Sequence, residues 1–377
     1  MTHCPDAISP FSEYRSTTTS RRPEAVRRYA MMRANPPAHV GVRVPLSKAT
    51  HAIKKAILGS SILDLAGRLV PTRAVILYYH SIVEDPRLTQ HLLGISQSRA
   101  TFDAHMEIVA RRYSPVTVED IAHFAKSGRQ LPRRAVAVTF DDGFLDNYEI
   151  ALPILSRYGI PASFYIMVDA VETGSLPWYC RIRFAFNSTK EPNWCNPETK
   201  RMHSLGSPEP RNAARLEAWE TAARMTGAVQ EEFVMRAEEE LKIEPVKRPP
   251  FMMNWDQVQA VRKAGHIIGA HTLSHPNVGQ VTLAEARSEI LGSKKKLEEK
   301  MGEEISHFSY PHPALNPQWS KDTLAITREA GFKSAVLTTR GSVRAGDDPL
   351  ALKRIYSSNE PEQFMWNLQT TFLGRSL

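Results

Sequence analysis

The chain predicts an α/β fold built mainly on parallel strands, and three observations point there. From residue 73 onward, short apolar, β-branched runs alternate with helical patterns, as strands joined by crossover helices do. One run, AVAVTFDDGF over 135–144, ends in adjacent carboxylates, Asp141 and Asp142, followed by Gly143. Another leads through Ile267, Ile268 and Gly269 into a spaced pair of histidines, His271 and His275. In α/β folds, catalytic groups gather at the C-terminal ends of strands.

The elements follow in order. Residues 73–83 (RAVILYYHSIV) read as the first strand, carrying His80 at its end. A helix is expected over 102–113 and another over 117–124, where Thr117 stands before an acidic first turn. The DDG strand comes next, then a helix over 150–158 that Gly159 ends and Pro161 prevents from continuing. A strand over 162–168 follows.

Between about 171 and 250 the alternation stops, which predicts an insertion. Its LPWYCRIRFAF stretch (176–186) is aromatic and basic, and reads as an apolar docking face ahead of a sugar-stacking surface. Helices are expected over 211–226 and 230–242, with solvated charge runs, forming a cap beside the site mouth. The alternation resumes with a helix over 255–264, the strand into His271 and a charged helix over 283–299. A helix over 316–330 and strands over 331–338 and 352–356 complete the series.

With 377 residues, 42% hydrophobic and 23% charged, the composition is that of a soluble globular protein. No run reaches the roughly 18–20 apolar residues of a membrane span, and the polar N-terminus lacks a secretory h-region. Cys4, Cys180 and Cys195 form neither a disulfide framework nor a metal-ligand pair, so a reducing interior is expected. The location expected is cytoplasmic or peripheral at the membrane. Residues 1–55 carry ten Arg or Lys against three acids, hence +7 of the net +8. With few aromatics to interleave with bases, this predicts a flexible basic arm over 1–46 and weak contact with anionic membrane, not nucleic-acid binding. Residues 47–72 read as an amphipathic helix, and 73–377 as the main domain.

Alone, Asp-Asp-Gly is an ordinary turn, and HxxxH is an ordinary pair of loop histidines. At two strand ends they make a shared metal site, since one carboxylate and two imidazoles suit Zn²⁺, Fe²⁺ or Co²⁺ and leave positions open. The chain resembles the polysaccharide deacetylases of the NodB-homology type, carbohydrate esterase family 4. The resemblance rests on TFDDGFLDNYEIALPILSRYGIPASFYI (139–166) and MNWDQVQAVRKAGHIIGAHTLSHPNV (253–278). ISHFSYPHP (305–313) and GFKSAVLTTR (331–340) match more weakly.

This resemblance covers roughly 74–355. It implies a distorted (β/α) barrel and a hydrolase that removes N-acetyl groups from amino sugars of a polysaccharide in bacterial exopolysaccharide biosynthesis. Its partner is then an N-acetylated polysaccharide or oligosaccharide, and its cofactor a divalent metal, Zn first, with Co or Fe as alternatives. Asp142, His271 and His275 would hold the metal, Asp141 would be the base, and the main-chain N–H of His312 would face the oxyanion.

Two departures stand out. The family's base-orienting Arg is absent from HFSYPHP, and its late Leu-x-x-His acid is absent from ALKRIYSS (351–358). His80 is the first replacement for that acid and His312 the second. Arg354, which keeps its proton, is expected as a structural ion-pair partner. Two other functions fit the same residues: an amide hydrolase of this fold on a small non-sugar substrate, and a carbohydrate binder without turnover. A binder, however, has little need of a free Asp141.

Overall fold

A computed structural model describes residues 72–89, 92–244, 251–312 and 314–375. The arm over 1–46 and the helix over 47–72 fall outside these, save Thr72.

Seven parallel strands run around a closed barrel. They are β1 (Val75–Tyr79), β2 (Ala135–Phe140), β3 (Ala162–Ile166), β4 (Ile267–Ala270), β5 (His307–Ser309), β6 (Ser334–Arg340) and β7 (Leu352–Tyr356). Each pairs with the next in sequence, and β7 closes on β1 through Leu77–Ile355 and Tyr78–Tyr356. The ring is uneven. Ser114–Pro115 pairs with the start of β2, while β3 joins it only from Val138 onward. Every residue of β1, β2 and β3 is buried, as strands enclosed on both faces must be. That explains their near-continuous apolar runs.

The helices between strands start and stop where the side chains dictate. Thr117 and Asp120 form a capping box ahead of helix Val118–Ser127, satisfying two otherwise orphaned N–H groups. Gly159, at φ +63°, ends helix Leu152–Tyr158 in the left-handed conformation glycine tolerates. Helix Leu283–Met301 buries Ala286, Ile290 and Leu297 on one face.

Three readings need correction. HFS, read only as a motif, forms the short strand β5. The helix expected over 316–330 begins at Lys321, because Ser320 caps it there by accepting from Thr323 N. An unforeseen helix, Pro361–Phe372, packs Phe364 and Leu368 into the core. Cys180 is a buried free thiol.

Between β3 and β4 the chain leaves the sheet. Helices Trp178–Ser188, Pro208–Ala222 and Gly227–Glu240 pack around their own apolar cluster, which includes Cys180, Ile182, Phe186, Trp194 and Phe233. The docking reading of 176–186 thus holds: Trp178, Tyr179, Ile182 and Phe186 are all buried. Arg181, on the same helix, is clamped by Glu231 and Glu238. Among the described residues no helix is long and apolar enough to cross a membrane.

Candidate active site

The site lies where β2 and β4 end. Asp142 turns sharply out of β2 at φ +77°, and Gly143 follows at φ +88°. Beyond β4, Thr272 and His275 also take positive φ, +66° and +61°. For a β-branched residue such a conformation costs about 1–2 kcal/mol, so the surroundings must enforce it. They do so through Thr272 Oγ1, which accepts from His275 N at 3.0 Å. The buried Glu289 carboxylate also accepts from Leu273 N (2.8 Å), Ser274 N (2.9 Å) and Ser274 Oγ (2.7 Å). One acid thus pins the loop between the two histidines.

The loop brings His271 and His275 onto Asp142. Each Nε2 lies 3.4 Å from Asp142 Oδ1, and one donor atom from each of the three residues falls within 4.8 Å of the others. His271 Nδ1 donates to Ser309 O at 2.7 Å, which fixes the tautomer and turns its Nε2 lone pair inward. All three residues are buried.

The polar atoms at this point are orphaned. Among the described residues neither Asp142 oxygen nor His275 Nδ1 has a hydrogen-bond partner, a costly state unless a cation satisfies the donor set. One carboxylate oxygen and two imidazole nitrogens with room for further ligands fit a divalent ion such as Zn²⁺. Burial opposes charge on Asp142, but the facing histidines outweigh it and hold its carboxyl well below the usual range. His275 is pushed down to about 3 by burial, leaving it a neutral ligand. Burial also pulls His271 down, yet the Asp141 and Asp142 charges win and hold it above its usual value.

Asp141 takes no part in that cluster. Its carboxylate is gripped by Arg354, Nη1 donating to Oδ1 at 2.8 Å and Nη2 to Oδ2 at 2.7 Å. The guanidinium is itself fixed by Leu337 O, Thr139 Oγ1 and Ser309 Oγ, and its Cζ lies 4.7 Å from the Tyr78 ring centroid. Burial raises the Asp141 pKa, but the Arg354 and His271 charges more than offset this, so the carboxyl stays below its ordinary value. The expected structural ion pair of Arg354 is therefore with Asp141, whose carboxylate it grips although HFSYPHP carries no arginine. Ser309 ties the two halves together: its carbonyl holds His271 and its hydroxyl holds Arg354.

His80 ends β1 beside this group, close enough to feel the charges of Asp142, Asp141, Arg354 and His271. Burial lowers its pKa. Its position is fixed from behind by Asn147 Nδ2, which donates to His80 O at 2.7 Å. His312 is not one of the three clustered residues. Thr338 Oγ1 gives its proton to Gln318 Oε1 (2.5 Å), so His312 Nδ1 donates to Thr338 at 3.1 Å.

The segment between β3 and β4 reaches the site directly. Trp178 Nε1 donates to His275 O at 3.2 Å, and the Tyr179 ring centroid is 5.0 Å from that of His275. Burial and the nearby Asp142 charge hold the Tyr179 hydroxyl well above its usual pKa.

Comparison with known proteins agrees with this geometry. The family model for polysaccharide deacetylase matches residues 128–335, more than half of the chain. The chain belongs to the polysaccharide deacetylase family, of the NodB-homology type, and is an N-deacetylase acting as a hydrolase. It is 20% identical to YxkH of Bacillus subtilis, assigned as a polysaccharide deacetylase, over 76% of this chain and 71% of that protein. It is 32% identical to the poly-beta-1,6-N-acetyl-D-glucosamine N-deacetylase of Escherichia coli K12 over 91 residues, 24% of this chain and only 13% of that protein. Among solved structures, the deacetylase PplD of Streptococcus pyogenes, in complex with acetate, shares the fold with a TM-score of 0.54. That match has 19% identity and covers 80% of this chain and 99% of that one.

Sequence reasoning missed three contributors. Glu289 had a visible signal, an acid within the buried Ala286–Ile290–Leu297 stripe of its helix. Tyr179 was read only as part of a docking face. The pairing of Arg354 with Asp141 had no local signal at all.

Proposed function

We propose that this deacetylase is metal-dependent and removes acetyl groups from amino sugars of a bacterial exopolysaccharide during its biosynthesis. What carries the reading is one arrangement: Asp142, His271 and His275 converge on a common point, while the neighbouring Asp141 is excluded from it and held by Arg354. Asp142, His271 and His275 would hold the ion, with Zn²⁺ the first choice and Co²⁺ or Fe²⁺ compatible with the same donors. When bound, such an ion supplies Lewis acidity to the acetyl carbonyl and acidity to water.

The chain's own groups do the rest. Asp141, ionised and locked in place, takes the proton of the attacking water. Arg354 keeps that carboxylate aimed and charged. The main-chain N–H of His312 donates to the oxyanion that develops on the acetyl oxygen. The proton that Asp141 takes from water is relayed to His80, which is neutral at rest because it is buried, and the imidazolium so formed passes it to the departing amine. The name of the partial Escherichia coli relative supports an amino-sugar polymer as substrate.

Two substitutions separate these roles. Asp141→Asn is expected to abolish acetate release while metal content stays unchanged, and His271→Ala to lose the metal itself. Full activity in Asp141→Asn would remove Asp141 as the base.

A further inference from the structure

Among the described residues, two arginines linked to the site by packed rings have no acid to pair with. Arg183 and Arg215 lie over the same ring, each guanidinium carbon 5.3 Å from the Trp219 centroid. Among the described residues no carboxylate pairs with either one. Arg215 donates Nη2 to Asn212 Oδ1 at 2.7 Å, and its Nη1 is buried without a partner. Burial holds both guanidinium pKa values below their usual range, and the Arg183 charge lowers Arg215 further. Arg181, on the same helix as Arg183, is saturated by two glutamates. The missing counter-charge is thus not a feature of the whole helix. Two half-buried like charges sharing one ring are costly unless an anion completes them.

Their location is equally specific. Trp219 stacks on Tyr179 at 13° with centroids 6.2 Å apart, and Tyr179 packs on His275. On its other side, Arg183 lies against Gly94, where an added Cβ would fall 2.4 Å from its Cζ. Gly94 leads into strand Ser96–Ser98, which pairs with Ser81–Val83 just after His80. Packed rings thus join the pair to His275, and Gly94 joins it to the strand pairing that follows His80.

We propose that Arg183 and Arg215 form an anion subsite that takes the oxyanion of an acidic sugar flanking the N-acetylated residue, a uronate carboxylate or a sugar phosphate. Planar guanidinium forks suit either group. The substrate class is then an acidic heteropolysaccharide. This inference rests on the deacetylase reading.

The test has two parts. With the full chain, acetate release is compared between neutral N-acetylglucosamine oligomers and oligomers alternating N-acetylglucosamine with glucuronate. KM is expected to be lower for the acidic series, and R183Q or R215Q to remove about tenfold of that preference each, leaving the neutral series unchanged. Binding of a non-acetylated glucuronate–glucosamine disaccharide and of inorganic phosphate is measured by calorimetry on the same proteins, which needs no turnover. Uptake of the disaccharide identifies a uronate, and uptake of phosphate alone identifies a sugar phosphate. Absence of both in the wild type, while neutral oligomers are still deacetylated, overturns the subsite and leaves the activity standing. Should the variants fail to fold, competition by either anion against neutral oligomers in the wild type decides: none overturns the proposal.

Discussion

Removing the Arg354 guanidinium is expected to damage this protein more than any other single polar deletion. The side chain is fully buried and makes two bonds to Asp141 at 2.8 and 2.7 Å, with Leu337 O, Thr139 Oγ1 and Ser309 Oγ taking the rest. Arg354→Met keeps much of the volume but strands Asp141 as an uncompensated buried charge, which costs about 3–5 kcal/mol. The pH dependence gives an independent sign. In the wild type the Asp141 pKa is depressed, so its stabilisation is present above the ordinary carboxylate range and is lost only in stronger acid. In Arg354→Met burial, the largest influence, is opposed only by the His271 and His80 charges and raises that pKa, so the variant binds a proton on folding and regains relative stability as pH falls toward about 4. The gap from wild type therefore narrows on acidification. Denaturant unfolding between neutral pH and pH 5 measures it. In an Asp141→Asn background the same substitution should cost far less, since no charge is stranded. Activity falls by about 10²–10⁴ through loss of the aimed base, and Arg354→Lys recovers only part of it, having no fork. A gap below about 0.5 kcal/mol at every pH would refute the reasoning.

The other expectations are narrower. Gly269→Ala places a Cβ 2.5 Å from Tyr165 Cδ1 and 2.9 Å from His307 O, so it should cost about 1–3 kcal/mol in thermal unfolding and shift the strand leading to His271. Glu289→Ala frees the loop between His271 and His275 and should weaken Zn²⁺ binding about 10–100-fold by calorimetry. His307, buried against Ser334 Oγ, is held down at about 4. Below its unfolded pKa of about 6.5 the unfolded chain binds the extra proton, so stability falls on acidification, by about 2 kcal/mol at pH 5. His307→Gln should flatten that slope in melting curves.

How far the sequence carried the reading depended on where each signal lay. The residues of the candidate metal site were legible because each follows an apolar run at a strand end, so position and chemistry coincide in a few consecutive residues. The barrel order was legible for the same reason. β5 was not, since its three residues, His307–Ser309, are too short to express a period. Arg354 stands next to Lys353, and nothing in LKRIY says which cation turns inward. In the fold Arg354 is buried and Lys353 is not, and its partner lies 213 residues away. The split of roles between Asp141 and Asp142 likewise depends on what each faces across the barrel mouth.

The account turns on an ion held by Asp142, His271 and His275. Acetate release from N-acetylglucosamine oligomers, measured after metal stripping and again after adding Zn²⁺ or Co²⁺, tests it most directly. The account predicts loss of release on stripping and recovery on addition. Undiminished release from demonstrably metal-free protein would contradict it.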